Sequence, residues 1–262
     1  MKTWMKVVLG IIAAIILILG LVFWLTGDMT KTGDDFFDAV QNDDINSAYE
    51  LLSEDFQAGT SREELASYLA ANALDKIKDV SWGSRSLTDG TGTLDGSVTT
   101  ATGGKIPLIL RLVKSDDGWR INAIEKEKSG FTAKGGEKSL PTPKAQEQLF
   151  RETTKVFADS LADRSMKKLY DYTSRLWQKE ISVEEFNGHF GTYYSDAESY
   201  GIMSRLTPVI DEASMSNKSQ FLTLKGHYPI KPTRVYFEQN YVYEGTRWKL
   251  LGLGVSPGSP GD

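Results

Sequence analysis

Two histidines and no cysteine bound the chemistry this chain can offer. Without cysteine there is no thiolate nucleophile, no thiolate metal site and no disulfide. His189 lies between Phe186 and Phe190, with Tyr193 and Tyr194 about one helical turn further on. A histidine beside phenols can move protons in a pocket, and the same spacing equally describes a half-exposed residue on a packing helix. His227 precedes Tyr228-Pro229 and reads as a strand-end residue. The acidic pairs Asp34-Asp35, Asp43-Asp44 and Asp116-Asp117 invite an acid–base or metal reading. Each falls at a predicted helix start or turn, where Asp caps backbone N–H groups. Thr102-Gly103-Gly104-Lys105-Ile106 carries part of a phosphate-loop pattern, but it lacks the full spacing and joins two predicted strands, so it reads as a hairpin turn. No catalytic set, cofactor site or metal-ligand set emerges. Trp82, Trp119, Trp177 and Trp248 suit a core as well as a cavity wall. The tyrosines concentrate in the C-terminal half, which makes His189, Tyr193, Tyr194, Tyr241 and Tyr243 the candidates for a pocket or a protein interface.

The elements that must position these residues come in two copies. Residues 36–69 align without gaps on residues 157–190. Phe36, Asp38, Tyr49, Ser53, Gln57, Ser61, Glu63 and Glu64 recur as Phe157, Asp159, Tyr170, Ser174, Gln178, Ser182, Glu184 and Glu185. His189 matches Tyr68, so that position does not carry one chemistry in both copies. Ile45, Ala48, Tyr49 and Leu52 mark one helix face, and Met166, Leu169, Tyr170 and Thr173 reproduce it. Ser61 with Glu64, and Ser182 with Glu185, have the spacing of a capping box. Each copy then switches to strand periodicity. The first predicts strands at Trp82–Leu87, Thr91–Thr99, Ile106–Val113 and Trp119–Glu125, and the second at Ile202–Ile210, Gln220–Tyr228, Arg234–Tyr243 and Arg247–Val255. Asp89-Gly90, Gly103-Gly104, Asp117-Gly118 and Glu244-Gly245 supply turns. Thr142-Pro143 predicts a helix start, with Thr at the N-cap and Pro at the first position.

Ahead of both copies, residues 7–26 carry no charge and are mostly Ile, Leu, Val, Ala and Gly. Twenty residues at a rise of about 1.5 Å span roughly 30 Å, a bilayer's hydrocarbon core. Trp4 and Trp24 flank the run as interfacial aromatics do. A cleaved signal would have a shorter apolar stretch and a small-x-small site, whereas this run ends Phe23-Trp24-Leu25-Thr26-Gly27-Asp28. Lys2 and Lys6 before it, against Asp28 after it, predict the N-terminus inside. Setting those two lysines aside takes the formal −5 of the chain to −7 for the body. That sign disfavours nucleic acid and anionic lipid headgroups as partners. A cysteine-free exported body fits a bacterial envelope.

The opening Phe36-Phe37-Asp38-Ala39-Val40-Gln41-Asn42-Asp43-Asp44, the helix Ala48–Ser53 and the closing Asp117-Gly118-Trp119-Arg120-Ile121, echoed by Arg247-Trp248-Lys249-Leu250, resemble the nuclear transport factor 2-like, or cystatin-like, cone fold. The resemblance spans both copies. Helices first and strands second in each copy give an α+β class, and with the apolar run and the resemblance the expected chain is an N-terminal transmembrane helix followed by two cone-like domains, each with about three helices packed on a four-stranded antiparallel sheet. The expected division is a stub and anchor (1–27), a first domain (28–126), a linker (127–141), a second domain (142–255) and a disordered tail (256–262). That superfamily holds isomerase-like enzymes and non-catalytic envelope modules, so the fold does not settle function. With no catalytic set in view, the expectation is a non-enzymatic, single-pass protein of the bacterial cytoplasmic membrane with an extracytoplasmic body. Its partners would be the bilayer through residues 7–26 and an envelope protein, with a homo-oligomer also compatible, and no cofactor is called for. The alternatives are a module for a small ligand or cell-wall component, a secretion or conjugation channel component, and an isomerase-like enzyme.

Overall fold

A computed structural model describes residues 28–88, 90–126, 140–216, 221–230 and 234–258. The apolar run 7–26, most of the linker (127–139) and residues 259–262 lie outside the described residues. Among the described residues no helix is long and apolar enough to cross a membrane. The chain divides into two units, residues 1–130 and 131–262.

In the first unit, helix α1 covers residues 28–41. It is followed by α2 (Ile45–Glu50), α3 (Glu54–Gly59) and α4 (Arg62–Ala71), then β1 (Ile77–Thr88), β2 (Thr91–Thr100), β3 (Lys105–Ser115) and β4 (Gly118–Lys126). The four strands form an antiparallel sheet in chain order. Phe36 and Phe37 from α1, Phe56, Leu65 and Leu69 from α3 and α4, and Leu94, Leu108, Leu110 and Leu112 from the sheet are buried in one core. Alternation places Leu108, Leu110 and Leu112 on the same sheet face, toward the helices.

The second unit runs α5 (Pro143–Ala162), α6 (Lys167–Tyr172), α7 (Arg175–Glu180), α8 (Val183–Phe190), a 3-10 turn (Gly191–Asp196) and α9 (Ala197–Met203), then β5 (Val209–Met215), β6 (Phe221–Tyr228), β7 (Val235–Glu244) and β8 (Arg247–Pro257). Its sheet is again antiparallel in chain order. The fold class is therefore α+β with two four-stranded sheets, and each unit has more helical pieces than the three expected. Residues Leu51–Ser53 account for one extra break: the Ser53 N–H bonds the Ile121 carbonyl at 2.8 Å instead of continuing the helix. Ser174 does the same to Leu250 at 2.7 Å.

The predicted strand Ile202–Ile210 is a correction. Its first two residues end α9, with Met203 buried. Arg205 and Leu206 close the turn by bonding the Ile202 and Met203 carbonyls. Pro208 cannot continue a helix, and the strand begins only at Val209. At the other end β8 continues through Ser256 and Pro257, into the segment expected to be a tail. Helix α5 starts as predicted, with the Thr142 side chain accepting from the Ala145 N–H.

The residues that recur between the copies make the same local hydrogen bonds. The Tyr49 hydroxyl lies 2.9 Å from the carbonyl oxygens of both Gln57 and Thr60, and the Tyr170 hydroxyl lies 3.2 and 3.1 Å from those of Gln178 and Ile181. The Gln57 amide donates to the Tyr49 carbonyl, and Gln178 to the Tyr170 carbonyl. Ser53 and Ser174 cap α3 and α7. Both capping boxes form. Asp43 and Arg164, one at each helix break, have positive φ, 55° and 49°.

Candidate functional site

In both units α1 or α5 lies over the inward face of a sheet, and the sheets correspond strand by strand. Trp82 pairs with Gly96 beside a bulge in the first sheet, and Ile210 with Gly226 beside a bulge in the second. Leu112 pairs with Ile121 at the next bulge, and Tyr241 with Leu250. Leu110 and Leu112 therefore occupy the places of Gln239 and Tyr241, and Trp119 that of Trp248. The correspondence exposes a difference in kind. The first interior is apolar at these positions, whereas the second holds Thr153, Thr154, Gln239 and Tyr241, all fully buried.

Those four side chains satisfy one another. The Tyr241 hydroxyl donates to Gln239 Oε1 and lies 2.7 Å from Thr153 Oγ1. Gln239 Nε2 donates to Thr154 Oγ1 at 3.2 Å, and Thr154 donates to the Phe150 carbonyl at 3.0 Å. Thr153 Oγ1 is also 3.4 Å from the Tyr172 hydroxyl. Burial holds the Tyr241 phenol well above its usual pKa and pushes Tyr172 up to about 12. All these groups are neutral in the ordinary pH range and act as hydrogen-bond donors and acceptors, not as bases.

Tyr172 connects this interior to an open cleft of about 590 Å³. Leu149 and Glu152 reach the cleft from α5, Asp171 and Tyr172 from the end of α6, and Tyr243, Arg247, Trp248 and Lys249 from the β7–β8 hairpin. The hairpin is tight because Gly245 takes a positive φ of 63°, and the Tyr243 hydroxyl ties it by donating to the Thr246 carbonyl at 2.8 Å. Tyr243 and Trp248 meet edge to face, with centroids 5.3 Å apart and planes at 87°. Two carboxylates and two cations share the walls, so the cleft has no strong net sign. Among the described residues no group of His, Asp and Glu is placed to hold a metal ion.

The five predicted site residues do not converge on one place. His189 is exposed at the end of α8. The Tyr193 hydroxyl donates to the Val255 carbonyl at 3.1 Å, and its ring packs on Phe157 and Tyr200. The Tyr194 hydroxyl donates to Asn187 Oδ1 at 2.6 Å. Tyr241 lies in the interior network, and Tyr243 lines the cleft. His227 stands near the end of β6, its Nδ1 2.8 Å from Asp211 Oδ2 and its ring against Tyr236. Of the acidic pairs, Asp44 caps α2 and Asp116-Asp117 form the β3–β4 turn. Asp34 and Asp35 instead lie inside α1: Asp34 accepts from the Trp82 indole at 2.8 Å and Asp35 pairs with Lys31. The expectation that they cap a helix start is corrected, because α1 already covers residue 28. Thr102-Gly103-Gly104 lie in the β2–β3 turn, with Gly103 at φ 87°, and Lys105 and Ile106 open β3. Sequence reasoning missed Tyr172, Glu152 and Arg247. The usable signal was the contrast between copies, where Tyr172 stands opposite Leu51.

A family model described as a domain of unknown function (DUF4864) matches residues 28–131, which is the first unit. No curated protein matches the chain in sequence. Among solved structures, a cystatin-like protein from Ruminococcus gnavus ATCC 29149 is similar over 93% of this chain and 96% of its own, at 9% identity and a TM-score of 0.29. A likeness that distant carries no argument about activity, and the α+β description rests on the strands and helices above.

Proposed function

We propose that this chain is a non-catalytic, membrane-anchored binding protein of the bacterial envelope. In this reading residues 7–26 cross the cytoplasmic membrane with the N-terminus inside, and two duplicated cystatin-like units outside engage an envelope protein. The uncharged run behind Lys2 and Lys6 supports the anchor. The hydrogen bonds shared at Tyr49/Tyr170, Ser53/Ser174 and Gln57/Gln178 support duplication.

One observation carries the binding role. The interior of the second unit, where a cone-fold enzyme would keep its acid or base, is filled by neutral groups that bond one another, while an aromatic cleft opens at its rim. The test is a photo-crosslinking amino acid at Gln148, an exposed cleft residue, in the full-length protein in cells. A discrete adduct with an envelope protein is expected, weakened when residues 1–27 are removed. No adduct from Gln148, with the protein abundant in the membrane, would sink the protein-partner reading. A second reading, binding of a small ligand or cell-wall component, is favoured by the size of the cleft, which lies within the roughly 300–1,000 Å³ typical of ligand sites.

A further inference from the structure

We infer that the cleft of the second unit receives a neutral, polyhydroxylated ring, a sugar unit of a glycan; this rests on the reading of that cleft as a ligand site. The wall formed by Trp248, Tyr243 and Leu149 is apolar and aromatic. A pyranose ring has a C–H face that loses water favourably against such a wall, while its hydroxyls point outward to polar groups. The remaining cleft residues match that rim. Each hydroxyl is at once donor and acceptor. Glu152 and Asp171 supply acceptors, and Arg247 and Lys249 supply donors. The opposed charges offset each other, so the cleft does not select a polyphosphate or a strongly basic peptide as a one-signed cleft would. The Tyr172 hydroxyl, 3.4 Å from Thr153 Oγ1, adds a neutral polar group to the cleft wall.

The first unit sharpens the contrast. Its corresponding indole, Trp119, has the Lys114 ammonium 5.3 Å from the ring centroid. Lys114 occupies the register position that Tyr243 holds in the second unit, opposite Trp119 and Trp248 respectively. An indole covered by its own lysine is not a platform for a sugar ring. The inference therefore assigns glycan binding to the second unit and not to the first.

The experiment is calorimetric titration of the full-length protein, held in a detergent without a sugar headgroup, with chitotetraose and with maltotetraose. Saturable binding of at least one is expected, and the preferred one distinguishes an amino-sugar polymer of the wall from a neutral glucan. Tyr172→Phe and Arg247→Met should each weaken it about tenfold, and Lys114→Ala should leave it unchanged. Trp248→Ala risks the fold, so Glu152→Gln at an exposed position is the second cleft variant, with a several-fold loss expected. Failure of both sugars to bind, or binding indifferent to all three cleft variants, overturns the inference. A protein adduct from Gln148 together with no sugar binding overturns the glycan alone. Neither adduct nor sugar binding overturns the cleft as a binding site altogether.

Discussion

Tyr241 and Leu112 stand at equivalent places in the two sheets, and the exchange of one for the other changes what the interior must satisfy. In the second unit, removing the Tyr241 hydroxyl strands buried Thr153 and Gln239 while leaving the ring packed. Tyr241→Phe should therefore destabilise the protein by about 1–3 kcal/mol, the usual cost of orphaning buried polar partners, read as a lower urea midpoint. Tyr172 makes a pH prediction. An unfolded tyrosine ionises near pH 10, and Tyr172 in the fold ionises at about 12. Between those values the unfolded chain loses its proton first, so stability falls as pH rises, by about 1.4 kcal/mol per pH unit for this group, and levels off above the folded value. Denaturation of Tyr172→Phe between pH 9 and 12 should show a shallower decline than the parent; parallel curves would contradict the assignment. At this scale the sequence was half legible. It marked Tyr241 and Tyr243 as unusual, but not that one faces the core and the other the cleft. That distinction depends on where along β7 the helix above stops covering the sheet. His189 drew notice as a rare residue type, and rarity says nothing about burial.

The elements were most legible where a side chain bonds its own neighbourhood. Ser61/Glu64, Ser182/Glu185 and Thr142 could be read directly, because a cap needs only three or four residues of context. Ser182→Ala should cost about 1 kcal/mol in thermal or urea denaturation. The bulges were not legible, because they need the partner strand. Gly96 and Gly226 mark them: a Cβ at Gly96 would sit 2.3 Å from the Ser81 carbonyl oxygen, and one at Gly226 would sit 2.4 Å from that of Val209. Neither backbone contact can give without moving the strand, so Gly96→Ala and Gly226→Ala should each destabilise by about 1–3 kcal/mol. A Gly83→Ala control, whose Cβ meets only a backbone oxygen at 3.8 Å, should be much milder. Misreading Ile202–Ile210 as a strand has a similar origin. Its apolar residues fit a short helix end as well as a strand, and period alone does not separate the two in so short a run.

For the whole molecule, the repeat of Tyr49, Ser53 and Gln57 in Tyr170, Ser174 and Gln178 was the strongest signal, because those residues bond locally and must be kept together. The repeat faded in the sheets, where, apart from Gly96/Gly226 and Trp119/Trp248, the pattern of buried positions is what is shared: Leu108, Leu110 and Leu112 against Phe237, Gln239 and Tyr241. The candidate site was least legible, since the cleft is assembled from α5, α6 and a distant hairpin. The claim that joins these parts is that both units lie outside the membrane while the N-terminus lies inside. The absence of cysteine makes it directly testable. Single cysteines are placed at Thr3, at exposed Ser115 in the first unit and at exposed Gln148 in the second, and intact cells are treated with a membrane-impermeant maleimide. Labelling at positions 115 and 148, with position 3 labelled only after lysis, is the predicted result. Protection of 115 and 148 until lysis would place the body inside the cell and contradict the account.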